Sequence, residues 1–160
     1  MNEQNEKYAN DFASAIRQFE SLIAGTTAAS RHDLEQLSLM LSILLQFGEE
    51  CPEAFSDSEP EPPAPSYEAL TARLKKRFPK FGFYNTVTPS KEAVGCCSVS
   101  VGDAIDDIAD IYLDLAGALW YFDNGDPALC LWQAKLLFFH WGRHAICLKS
   151  FLHEQLHETS

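Results

Sequence analysis

An all-α single-domain bundle of about five helices is what this sequence predicts, and three observations predict it. Apolar residues recur at spacings of three and four over several stretches of helical length. Capping residues and prolines punctuate those stretches where helices would start and stop. Finally, 160 residues with 46% apolar composition are enough to bury one core without disulfide or metal staples. The whole chain, 1–160, therefore reads as one domain.

The first expected helix is Glu6–Ala24, where Phe12, Ile16, Phe19 and Ile23 share a face and Gly25-Thr26-Thr27 ends the pattern. Ser30 opens the second, with Asp33 at the capping-box position. It runs to about Gln46 and is apolar on most sides, so a central place antiparallel to the first is expected. Residues 48–66 interleave acids with prolines and hold little apolar surface, which predicts a mobile acidic linker. Ser66 then caps a short helix, Tyr67–Arg77, stopped by Pro79 and expected to pack across two helical hairpins. Between residues 81 and 101 the pattern fits a short extended pair.

The closing hairpin runs from Asp103 to Glu158 and turns at Asp123-Asn124-Gly125-Asp126-Pro127. Its second helix is apolar nearly all round to about Leu156 and is expected to be the core of the bundle. Gly142, in mid-helix, predicts a neighbour in close contact.

Charge and composition exclude several function classes. A formal net charge of -11 opposes a general nucleic-acid or anionic-membrane surface. The apolar stretches Leu34–Phe47 and Leu136–Leu152 are too short or too interrupted to span a bilayer, so no membrane association is expected. Residues 1–11 lack a signal-peptide pattern, and a cytoplasmic location is the expectation. Five cysteines without ligand spacing, Cys96-Cys97 adjacent among them, fit reduced structural thiols. Six of the twelve basic residues lie between Arg73 and Lys91, beside Phe78, Phe81, Phe83 and Tyr84. That segment reads as a solvated face with aromatic anchors; nucleic-acid binding through residues 73–80 is the lesser alternative.

Only the hairpin offers residues suited to chemistry. Asp103, Asp106, Asp107, Asp110 and Asp114 return to one helical face, and the helix dipole accounts for the first three alone. His140 and His144 stand one turn apart, the spacing by which two imidazoles reach one metal. In an antiparallel pair pivoting near Gly125, Asp110 falls level with His140 and Asp106 with His144. Asp106, Asp110, His140 and His144 are thus the candidate metal ligands, a set suited to zinc, iron or manganese. The competing reading has no cofactor: the acids face water, or Asp110 and His140 form a buried pair that fixes the packing. No P-loop, dinucleotide glycine pattern or nucleophile elbow appears.

The segments Asp106-Asp107-Ile108-Ala109-Asp110-Ile111-Tyr112-Leu113-Asp114-Leu115 and His140-Trp141-Gly142-Arg143-His144-Ala145 resemble the signature segments of a small bacterial helical family catalogued as a domain of unknown function. Tyr67 to Val87 is similar too, so the likeness spans Tyr67 to Leu152. The resemblance implies an all-α fold and no established activity, substrate or cofactor. With no nucleophile–base motif, the expected role is non-enzymatic: a helical module that binds a protein partner or a second copy of itself. A metal-dependent enzyme using the Asp/His set is the alternative.

Overall fold

The computed structural model describes residues 1–54, 61–87 and 99–157. Six helices and one two-stranded ribbon follow in order: α1 (Glu3–Ile23), α2 (Arg31–Glu50), α3 (Tyr67–Arg77), β1 (Phe83–Val87), β2 (Val99–Asp103), α4 (Ala104–Asp123), α5 (Pro127–Leu136) and α6 (Phe138–His157). The all-α class holds, and the extended pair is an antiparallel ribbon with Val87 opposite Val99 and Phe83 opposite Asp103. Cys96 and Cys97 lie outside the described residues, as do residues 55–60 of the expected linker. Its first three residues, 48–50, belong to α2. No described helix is long and apolar enough to cross a membrane.

The helix starts follow from local chemistry. Ser30 and Asp33 close a full capping box on α2. Ser66 caps α3 and Asp126 caps α5, with Pro127 in the first turn. Asp103 ends β2 and at once caps α4, its carboxylate accepting the Ile105 N–H at 2.9 Å. Chain reversal between α4 and α5 uses Gly125 at φ 83°, a backbone state that suits glycine.

The hairpins are antiparallel, as expected. Tyr8 and Phe12, early in α1, pack on Phe47, late in α2, and the Tyr8 hydroxyl donates to the Phe47 carbonyl at 2.5 Å. Across the second interface, Lys149 of α6 donates to the Ser38 carbonyl of α2, and Arg31 of α2 donates to the Leu156 carbonyl. Arg77 locks α3 to the α1–α2 connection. Only 6% exposed, it pairs with Asp33 at 3.2 Å and donates to the carbonyls of Leu22 and Thr27. The bonds from Ser30, helped by this cation, hold the Asp33 carboxyl down to about 2.

Three expectations need correction. The last helix is two: α5 ends at Leu136 and α6 begins at Phe138. The Ala134 carbonyl, which the Phe138 N–H would take in an unbroken helix, receives the Trp141 indole N–H at 2.9 Å. Second, α4 is the central helix. Ile105, Ile108, Ile111, Leu115 and Leu119 are all buried in it, whereas Phe139 and Ile146 of α6 are exposed. Third, α2 is peripheral, burying only Leu37, Leu41, Leu44 and Gly48 and leaving Leu39 in solvent.

The Phe138 ring occupies the notch these elements leave. A Cβ on Gly48 of α2 would come within 2.2 Å of it, and one on Gly142 of α6 within 2.5 Å. Gly48 also abuts the fully buried Trp141, so the ring has little room to yield. Gly48→Ala should therefore lower unfolding stability in urea by about 1–3 kcal/mol. An unchanged midpoint would show that the ring moves aside freely.

Candidate metal centre

The site lies along the α4–α6 contact. Spacings of three and four carry Asp107, Asp110 and Asp114 down one side of α4, and a spacing of four carries His140 and His144 down the facing side of α6. Each imidazole is braced by a carboxylate through Nδ1: His140 to Asp114 at 2.7 Å, and His144 to Asp107 at 2.7 Å. The second nitrogen of His144, Nε2, stands 3.3 Å from Asp110 Oδ2. Ligand-capable atoms of Asp110, His140 and His144 all lie within 4.8 Å of one another.

Burial grades across this cluster. Asp107 is 5% exposed, and its carboxylate is satisfied on both oxygens, by His144 and by the Tyr84 hydroxyl arriving from β1. His140, at 42% side-chain exposure, opens the cluster to water. Tyr67, the first residue of α3, donates its hydroxyl to Asp106.

Three of the four expected ligands thus come together, and Asp106 is turned toward Tyr67 instead. The register differs from the simple pivot about Gly125. His140 meets Asp114 rather than Asp110, and His144 meets Asp107 and Asp110 rather than Asp106. The break at Leu137 is the physical reason: a bent α5–α6 path takes up about one extra helical turn of chain before it faces α4. Asp107 and Asp114 escaped the sequence reading as partners, although their spacing around Asp110 was visible. Tyr84 carried no signal, because only the ribbon's fold brings it to Asp107.

The electrostatics follow from this layout. The His144 pKa is raised from its ordinary 6.5, first by the hydrogen bond to Asp107 and then by the charges of Asp107, Asp110 and Asp106, against the opposing effect of burial. Asp110 is also raised, by burial and by the neighbouring Asp106 charge, with the two histidines pulling the other way. Burial and the bond to Asp107 push the Tyr84 hydroxyl far up, so it stays a donor.

A family described as a domain of unknown function, DUF5063, matches residues 3–158. The chain belongs to this family. The DUF5063 match extends beyond the Tyr67–Leu152 likeness read from the sequence and includes α1 and α2. Its fold is similar to the crystal structure of protein BF1032 from Bacteroides fragilis, at a TM-score of 0.71 over 95% of this chain and 97% of that one. At 16% identity the likeness is one of fold. No curated protein matches this DUF5063 chain.

A raised His144 pKa makes a testable statement about stability. The pairing contributes fully below the ordinary value of 6.5 and is lost as pH rises through the higher folded value. The stability gap between wild type and His144→Asn in urea should be larger at pH 5.5 than at pH 8.5. A gap that widens with pH would contradict the assignment.

Proposed function

We propose that this protein binds a transition metal through Asp110, His140 and His144. One observation carries the reading: His144 Nε2 and Asp110 Oδ2 face each other across 3.3 Å. When the imidazole is neutral with its Nδ1–H donating to Asp107, both facing atoms are acceptors, and only a proton or a metal ion between them relieves the contact. A metal about 2.0–2.1 Å from each would subtend an angle of roughly 107° there, close to tetrahedral. His140, braced through Nδ1 and 42% exposed, offers the third ligand from its other ring nitrogen.

The bracing carboxylates support the same reading. Metal-binding histidines usually donate their other ring N–H to a carboxylate, which sets the tautomer and raises ligand basicity. Here both do, to Asp107 and Asp114. Three protein ligands leave a position for water, so the chemistry available is activation of water or of a bound oxygen group.

Isothermal titration with zinc or cobalt tests the proposal on untagged protein. One ion should bind, with affinity rising from pH 6 to pH 8 as the competing proton leaves His144. His140→Ala with His144→Ala should abolish binding, and Asp107→Asn or Asp114→Asn should weaken it about 10–100-fold. Asp106→Asn should change it little. Wild-type protein that binds no metal at any of these pH values would refute the reading.

A second reading, that the chain is a protein-interaction module, is favoured by a separate observation. Trp132, Leu136, Phe139 and Ile146 form an exposed apolar stripe on α5 and α6. The nucleic-acid alternative gains no such support. Arg77 is committed internally, and Phe78 and Phe81 stack on each other beneath α6 rather than standing free for bases.

A further inference from the structure

We propose that the outer face formed by the ribbon and α5–α6 is where a second copy of this chain docks; this rests on the interaction reading and names the partner. Eleven large hydrophobic side chains are exposed among the described residues, and eight belong to this face. The ribbon is inside-out. Pairing puts Phe83, Asn85, Val87, Val99 and Val101 on one side, and that apolar side is the exposed one: Phe83 78%, Val99 71%, Val101 71%. Polar Tyr84 and Thr86 turn inward to Asp107 and Cys147.

In the helical part, Trp132 and Leu136 lie one turn apart on α5, and Phe139, Arg143 and Ile146 follow at intervals of four and three on α6, so each helix presents neighbouring side chains to the same exposed stripe. A groove of about 670 Å³ joins the two parts, walled by Asn85 and Val87 of β1 and by Phe139, Arg143 and Ile146 of α6. Phe139, 76% exposed, stands at the rim of that groove. A knob beside its own hole is what a two-fold interface needs, because each copy then inserts into the other.

Area and charge point to a second copy. Side chains of these sizes at these exposures offer roughly 800–900 Å², about what each partner of a standard interface buries. At a net charge of -11 two copies repel over most of their surface, and this face, where large apolar side chains and cations stand among few acids, is where they can meet. Arg143 has no ion pair among the described residues, and Glu49 and Glu154, which line the same groove, have none there either. Across a two-fold axis, Arg143 of one copy can reach those carboxylates on the other.

Sedimentation equilibrium of the full chain from about 1 to 100 μM, compared with Phe139→Glu/Ile146→Glu, tests this. The wild type should run as a dimer of the 17.9 kDa chain. The variant should dissociate about a hundredfold or more easily, with unchanged far-UV circular dichroism. Leu136→Lys, also on the exposed face, should weaken the dimer independently should the double variant misfold. A wild type that stays monomeric throughout, or a dimer untouched by these well-folded variants, overturns the proposal. A monomer whose retention on a phenyl matrix depends on Phe139 also overturns it, yet leaves the interaction reading standing with a different partner.

Discussion

The structure depends on what α4 has to reconcile. It is the most enclosed helix, with ten buried residues, and it also carries six aspartates with its cap included. A carboxylate this deep is tolerated only when paired and hydrogen-bonded. The surrounding elements meet that requirement. Asp103 turns its charge into a cap for the helix it precedes, and Tyr67 of α3 covers Asp106. Tyr84 of β1 and His144 of α6 together satisfy Asp107, and His140 takes Asp114. The acid stripe is thereby the seam that sets the positions of α3, the ribbon and α6 around α4.

That seam has a gradient. At its buried end Asp107 is closed on both sides, so its role is orientation. Toward solvent, Asp110 faces His144 Nε2 at 3.3 Å, and the two pKa values are pushed upward together. Both groups therefore favour a shared positive charge between them. A proton meets that need below the raised His144 value, and a divalent ion meets it better above. On the proposed metal reading, structural pairing and metal binding would be consecutive states of one network.

Much of the fold is legible because its signals are local. Ser30 with Asp33, Ser66 with Tyr67, and Asn124-Gly125 before Pro127 each specify a boundary within a few residues. What is illegible has tertiary causes. The break at Leu137 arises because the Trp141 indole finds the Ala134 carbonyl and the Phe138 ring wedges against Gly48, a residue on another helix. The one-turn error in matching aspartates to histidines follows directly from that break. The apolar surround of the last helix suggested burial, but Phe139 and Ile146 are exposed. Pattern alone does not distinguish a core helix from one with a face for another molecule. The His140–His144 spacing was readable, whereas Tyr84 reaches the site only because β1 pairs with the strand leading into α4.

The most direct test of the account is long-range proton–nitrogen NMR of the histidine side chains, with and without zinc, at pH above the raised His144 value. The account predicts that His140 and His144 both carry their proton on Nδ1, held by Asp114 and Asp107, and that zinc shifts the two Nε2 resonances while the Nδ1–H signals persist. Nε2-protonated rings, or Nε2 resonances indifferent to zinc, would contradict it.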